Sequence, residues 1–366
     1  MSLKCGIVGL PNVGKSTIFN VMTKSQSAAV GNFPFCTIDP NVGIVNVPDK
    51  RVDVLANLDK PAKIIYATVK FVDIAGLLKG ASLGEGLGNK FLSHIHEVDT
   101  IIHVIRCFEN EKILHSYNRI APIEDKNIID TELQIKDLEL LEKKIEKVNK
   151  LIKSGNKDSG EILKAGLTLK KYLEQGENSR NLILTEEQNS LVQELQLLTA
   201  KPIVYVANVD EQILKVGGNK FVEELKKIAA EEKTKVIMLA ANIESDLLDL
   251  LEEDKKLFLA EYNIQESGLD QLAKAAYEKL GLVTFFTSGS DETRAWTIKK
   301  GTKAPQAAGV IHSDFERGFI KAEVVKFEDY VSFGGGQKCK EQGKLNIEGK
   351  DYVMEDGDIV NFKFNV

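Results

Sequence analysis

Apolar positions along this chain gather in short unbroken runs. Cys5–Val8, Thr68–Val72, Thr100–Ile105, Ile203–Ala207 and Val236–Leu239 are brief and mostly β-branched, the pattern of strands buried on both faces of a parallel sheet. Such strands need helical crossovers, and Ser16–Thr23, directly after the first run, predicts one. About 95 residues separate Ile105 from Ile203, far beyond the roughly 10–15 of a crossover helix, so an insertion is predicted there. Within it Leu138, Leu141, Ile145, Val148 and Ile152 step by threes and fours like a coiled-coil seam. A second helix over Glu161–Leu173 is expected to fold back along the first. Thr185 with Gln188 three residues later has the form of a capping box opening a third helix through Leu191, Leu195 and Leu198. A seam of aliphatics carries no reactive groups, so this stretch reads as an arm. After Gly281 the runs Leu282–Phe286, Ala295–Lys299, Phe319–Phe327 and Ile359–Phe364 alternate with turn signals such as Gly334-Gly335-Gly336, predicting a small mixed α/β domain. The expected division is 1–124 with 201–280 for the parallel sheet, 125–200 for the arm and 281–366 for the last domain.

Length and composition agree with this plan. The chain has 366 residues, 43% of them hydrophobic, enough for two or three cores. Charged residues make up 28% and nearly cancel, to a formal net of -6. No overall positive field then draws the molecule to nucleic acid or anionic lipid, and neither DNA nor a membrane is expected as a partner. Cys5, Cys36, Cys107 and Cys339 are scattered without a CxxC pair, which argues against a zinc site or disulfide framework and fits a reducing compartment, the cytoplasm by default. No apolar run approaches a membrane span, and the chain enters a strand after Lys4 without a signal-peptide pattern.

The chemistry begins where the first strand meets its helix. Gly9, Gly14, Lys15 and Ser16 stand at the spacing of the Walker A motif, G-x-x-x-x-G-K-[ST]. Glycines there let backbone N–H groups curl around phosphates and the helix N-terminus adds partial positive charge; Lys15 would bridge β- and γ-oxygens, with the Ser16 hydroxyl on Mg²⁺. Asp73-Ile74-Ala75-Gly76 ends the second apolar run. Its Asp73 is placed to hold the magnesium through water, as a Walker B residue does, and Thr37 on the intervening loop would complete the coordination. The pair of motifs selects the GTPase-like branch of P-loop proteins. Many GTPases carry a water-orienting glutamine after that glycine; Leu77 stands here, so hydrolysis should be slow unless another group orients the water. His94, His96, His103 and His115 are the nearby polar candidates. His103 alternates with buried strand positions and reads as structural, His94 and His96 lie on a helix, and His115 sits on the connection into the insertion, where a mobile group or a solvated loop histidine both fit.

A guanine-specific site ends a later strand with Asn-Lys-x-Asp, but here the strand ends in Asn208-Val209-Asp210-Glu211. Val209 cannot cover a base as lysine does, and Glu211 carries its carboxylate one methylene too far, so the bias toward guanine fails.

At these residues a family resemblance is close. Gly9-Leu10-Pro11-Asn12-Val13-Gly14-Lys15-Ser16-Thr17, Asp73-Ile74-Ala75-Gly76-Leu77, Gly84-Glu85-Gly86-Leu87-Gly88-Asn89 and Asn208-x-x-Glu211 together resemble the YchF subfamily, the Obg-like ATPases. The runs Arg294–Ile298, Lys300–Gly309 and Asp314–Phe319 are similar to that family's TGS domain, and the likeness spans essentially the whole chain. It implies a Ras-like α/β domain, a coiled-coil insertion and a C-terminal β-grasp (TGS) domain. It also implies ATP bound and hydrolysed in preference to GTP, and association with ribosomes in translation or stress responses. Asn12, Val13, Gly14, Lys15, Ser16 and Thr17 match the family's phosphate-binding run. Ser16 and Thr37 match its metal ligands, and Asn208 and Val209 its adenine-contacting strand end. His115 matches a histidine assigned the missing glutamine's role. The fifth nucleotide motif departs, reading Leu239-Ala240-Ala241 where most GTPases have Ser-Ala-x.

Two further features carry open alternatives. Asn12 either coordinates a K⁺ between the phosphates or stabilises its loop. Arg294, Lys299, Lys300, Lys303 and Lys321 beside Trp296 form either a basic, aromatic surface for ribosomal RNA or a solvated face with Trp296 in the core. Against the switch ATPase stands a binding module of the ribosome or its RNA, gated by nucleotide and with incidental hydrolysis.

Overall fold

In a computed structural model of the chain, the structure describes residues 3–29, 41–74, 87–113, 119–154 and 159–365. The expected strand–loop–helix start is present: β1 (Lys4–Val8) leads through the phosphate loop into α1 (Lys15–Ala29). Then come β2 (Val42–Asn46), α2 (Lys50–Asp59), β3 (Lys63–Ile65), β4 (Thr68–Asp73), α3 (Leu87–His96) and β5 (Thr100–Arg106). The insertion supplies α4 (Pro122–Lys153), α5 (Gly160–Glu174) and α6 (Glu186–Leu195). The sheet resumes with β6 (Ile203–Asn208), α7 (Glu211–Val216), α8 (Lys220–Glu231), β7 (Val236–Leu239), α9 (Ala241–Leu248) and α10 (Glu252–Glu261). Beyond α11 (Gly268–Lys279) lie β8 (Leu282–Ser288), β9 (Glu292–Lys299), α12 (Ala304–Ile311), β10 (Phe319–Lys326), β11 (Asn346–Glu348) and β12 (Asp358–Phe364).

The chain divides into two compact units, one dominated by Lys70–Leu272 with the N-terminal segment, the other by Ile44–Val69 and Ala273–Val366. The first is a doubly wound α/β unit whose sheet runs in the order β2-β4-β1-β5-β6-β7. β1 pairs in parallel with β4 and β5, and β6 with β5 and β7. Every residue of β5 and β6 is buried, as continuous apolar runs require of central strands covered on both faces.

The arm folds as its periodicity predicts, except that the third helix ends at Leu195, with Gln196 left-handed, and Leu198 opens a separate 3-10 turn. Leu141 and Val148 of α4 are buried and Leu138 packs beside them; Leu169 and Leu173 of α5 and Leu191 of α6 complete an apolar seam. The Thr185–Gln188 capping box forms with both of its reciprocal bonds. α4 begins at Pro122, roughly four turns before the seam at Leu138, because its first turns serve another purpose. There Lys126 bridges Asp130 and Glu232, both at 2.7 Å, and Arg180 reaches Asp130 at 2.6 Å. Tyr205 of β6 donates to Glu232 at 2.5 Å. This buried ionic knot ties the root of the arm to β6 and to the end of α8.

The second unit is a mixed sheet in the order β11-β10-β12-β8-β9-β3. α12 contributes Ala304, Ala307 and Ala308 to a core with Phe285, Phe319 and Phe362, a helix laid across a sheet in the β-grasp manner. β3 pairs in parallel with β9 through Lys63↔Glu292 to Ile65↔Arg294. Trp296 is only partly buried. Its indole donates to Thr287 Oγ1 at 2.9 Å and the Arg294 guanidinium lies 3.8 Å above its ring. Among the described residues no helix is long and apolar enough to cross a membrane.

Candidate functional site

The loop between β1 and α1 has the backbone that a phosphate cradle needs. Gly9 and Gly14 have φ of 154° and 100°, and Asn12, between them, has φ 63°. A Cβ on Gly9 would stand 2.4 Å from the Val104 carbonyl oxygen, and one on Gly14 2.1 Å from Asn208 Nδ2. Both positions therefore demand glycine for space as well as for conformation. Asn208, at the end of β6, donates from Nδ2 to the Val13 carbonyl at 2.8 Å. The end of β6 and the Walker loop are thus joined by a direct hydrogen bond. Lys15 is buried and donates from Nζ to the Leu10 carbonyl at 2.8 Å, folding back across its own loop.

One cavity of about 520 Å³ collects these groups. Asn12, Gly14, Lys15, Ser16 and Thr17 line one side, and Asn208, Val209 and Glu211 another. Val13 is buried at 1% exposure beneath the loop. Ala240 and Ala241, which replace the usual fifth motif, also face the cavity, followed by Asn242 and Ile243 at the start of α9. Asp210 is the N-cap of α7, accepting from Ile213 N at 2.9 Å, which leaves Glu211 as the acidic member of its run not committed to a cap.

Electrostatics mark the phosphate end. Burial pushes the Lys15 ammonium down to about 8, with Asp73 pulling the other way. Burial likewise raises Asp73, opposed by Lys15. Asp73 Oδ1 is buried and accepts no hydrogen bond from the described residues. An orphaned acid oxygen beside the first turn of α1, where the Ser16 side chain is exposed, fits a water of a hydrated magnesium ion. Among the described residues no group of three or more His, Cys, Asp or Glu could hold a metal by itself, as expected for an ion that shares its coordination with phosphates and waters. Thr37 and His115 lie outside the described residues, as do Ala75, Gly76 and Leu77. His94 is exposed and His96 half-buried. His103 is buried against Tyr205, with ring centroids 5.8 Å apart, and burial pushes it down to about 3.

A further wall was not foreseen from the sequence. Phe108, Asn110 and Ile113 line the cavity on the segment after β5. Arg106, 1% exposed, donates to the carbonyls of all three, from Nε to Phe108 at 3.1 Å and from its terminal nitrogens to Asn110 at 2.9 Å and Ile113 at 3.0 Å. Its guanidinium also sits 4.8 Å from the Phe108 ring centroid. The available signal was an arginine closing a fully buried strand, a position that can be buried only if its donors are used locally.

Comparison with known proteins agrees with this geometry. The family model described as 50S ribosome-binding GTPase matches residues 4–152, and that of the YchF-GTPase C-terminal region, described as a protein of unknown function, matches residues 282–365. The ribosome-binding ATPase YchF of Bacillus subtilis (strain 168) is 52% identical over 367 residues, covering 100% of both chains. Its counterpart in Escherichia coli O157:H7 is 48% identical over 370 residues, again with 100% coverage of both. Among solved structures, the YchF GTPase of Schizosaccharomyces pombe superposes with a TM-score of 0.90 at 40% identity, covering 99% of this chain and 98% of that one. With full-length identity at this level, and with a phosphate loop hydrogen-bonded to an altered base-reading strand, the chain belongs to the YchF family of P-loop ATPases.

Proposed function

We propose that this protein is an ATP-driven molecular switch that binds ATP in preference to GTP and works on the ribosome in the cytoplasm, in translation or a stress response. The observation that carries the reading is the cavity itself, in which the Walker loop and the Asn208–Glu211 strand end line one space. In this reading the backbone N–H groups of Asn12 to Thr17 cradle the phosphates and Lys15 leaves the Leu10 carbonyl for the β- and γ-oxygens. Ser16, Thr37 and Asp73 hold magnesium, Asp73 through water. When bound, that ion neutralises charge on the β- and γ-phosphates. Asn208, Val209 and Glu211 receive the adenine, with Val209 giving an apolar contact where a guanine site has lysine. His115 orients the water that Leu77 cannot, and Asn12 offers an amide oxygen to a K⁺ ion.

The functional parts in this proposal are 1–124 with 201–280 for nucleotide, 125–200 for a coiled-coil arm and 281–366 for a TGS domain, the last two meeting ribosomal RNA or protein. Curated relatives at 48–52% identity are named ribosome-binding ATPases. In the basic face, Lys303 is paired with Asp351 at 2.7 Å, and Lys321 lies 4.0 Å from Glu323. The exposed Lys299 and Lys300 are then the contacts offered to RNA, while Arg294 lies on the Trp296 ring and 3.8 Å from Glu292. The test is ribosome cosedimentation with a non-hydrolysable ATP analogue, with ADP and without nucleotide, together with turnover in the presence and absence of ribosomes. The switch reading expects binding that depends on the nucleotide and turnover that ribosomes stimulate. Nucleotide-dependent binding with unstimulated turnover would instead favour a gated binding module, and binding indifferent to nucleotide would defeat both.

A further inference from the structure

Glu211, the fourth residue of the base-reading run, is engaged from outside the cavity. Tyr262, just after α10, donates from its hydroxyl to Glu211 Oε1 at 2.9 Å. The tyrosine is 8% exposed and its ring packs on Phe258, centroids 5.2 Å apart, so the donor is held in place. Burial, and then the Glu211 carboxylate, push the phenol up to about 12, which keeps the hydroxyl protonated and fixes it as the donor. Glu211 itself is exposed and lines the cavity. Among the described residues, no hydrogen bond reaches its other oxygen.

The two purines ask different things of such a carboxylate. Guanine presents adjacent donors, the ring N1–H and the 2-amino group, which together need both oxygens. Adenine presents one amino donor beside an N1 lone pair, which a second carboxylate oxygen would repel. We propose that Tyr262 is a specificity-determining residue: by occupying Oε1 it turns Glu211 from a two-point into a one-point acceptor, which suits adenine and disfavours guanine. This goes beyond the length of the Glu211 side chain and rests on the reading of the cavity as an ATP site.

The experiment is displacement of a fluorescent nucleotide by ATP and by GTP, with magnesium present, for the wild type, Tyr262→Phe, Glu211→Ala and the double variant. Phenylalanine keeps the ring and its packing, so the fold is retained. The wild-type ATP:GTP ratio tests the cavity reading alone, and equal or tighter GTP binding overturns that reading. Tyr262→Phe is expected to lower the ATP:GTP affinity ratio about three- to tenfold, the net worth of one ordinary hydrogen bond. In the Glu211→Ala background the same substitution is expected to move the ratio by less than about twofold, as a coupled pair requires. A ratio unchanged by Tyr262→Phe, or shifted equally in both backgrounds, overturns the role of Tyr262 whatever the wild-type preference.

Discussion

At the scale of single residues, the site depends on a few atoms that tolerate no addition. Gly14 combines φ 100° with a Cβ position only 2.1 Å from Asn208 Nδ2. Gly14→Ala must therefore strain the loop, displace Asn208 or both, at a cost of about 1–3 kcal/mol for the backbone alone. Nucleotide affinity by titration calorimetry should fall roughly tenfold or more, with the far-ultraviolet circular dichroism preserved. Affinity within twofold of wild type would mean that the loop does not have to approach Asn208 to bind. The attacking water gives a second residue-scale expectation. Leu77 offers no polar group, and a neutral imidazole can accept a hydrogen bond from water near pH 7. His115→Ala should lower turnover about 10²–10⁴-fold while leaving ATP affinity nearly unchanged. Wild-type rates, alone and with ribosomes, would pass the role to His94 or to a ribosomal group.

At the scale of elements, what could be read from the sequence followed from how local each signal was. Five of the six strands of the nucleotide-binding sheet, all but the edge strand β2, and the three arm helices were legible because periodicity and capping are written within a few residues, as at Thr185 and Gln188. β3 was not: it is three residues long and exists because Lys63–Ile65 pairs with Glu292–Arg294, more than two hundred positions away. α2 likewise lies outside the apolar runs that announce the strands, although Asp49 caps it by accepting from Arg51 N at 3.0 Å, and Val52 and Leu55 are its buried face. Walker A and Asn208–Glu211 were legible as motifs, but the bond from Asn208 to Val13 and the Arg106 clamp join residues that only the folded sheet brings together.

The root of the arm yields an element-scale test. Burial alone would raise Asp130, but Arg180 and Lys126 outweigh it and hold the carboxyl at about 2, below its ordinary 3.8. A depressed carboxyl contributes stability that is complete above 3.8 and is lost as pH falls through about 2. Acid unfolding followed by circular dichroism between these values should be shallower in Asp130→Asn than in the wild type. At neutral pH, Asp130→Ala leaves the buried Arg180 without its carboxylate and should cost about 3–5 kcal/mol, seen as a lower thermal midpoint and faster hydrogen exchange in α4. Unchanged exchange there would mean that the apolar seam, not the ionic knot, fastens the arm.

At the scale of the whole molecule, β5 and β6 are the shared girders of the nucleotide-binding unit. At their ends Arg106 and Asn208 shape the cavity, and along their length His103 and Tyr205 meet the knot that holds the arm. The cavity and the arm are thereby connected through packed, fully buried strands, the kind of rigid path along which a change at one end can bias the other. A nucleotide switch of this kind requires that the cavity turn over ATP. The most direct test is phosphate release from ATP and from GTP, measured side by side as kcat/KM for the wild type and for Lys15→Ala. A higher kcat/KM for ATP than for GTP in the wild type and loss of both in Lys15→Ala are expected; a kcat/KM for GTP equal to or above that for ATP, or ATP turnover that survives Lys15→Ala, would rule out an ATP-preferring ATPase at this cavity.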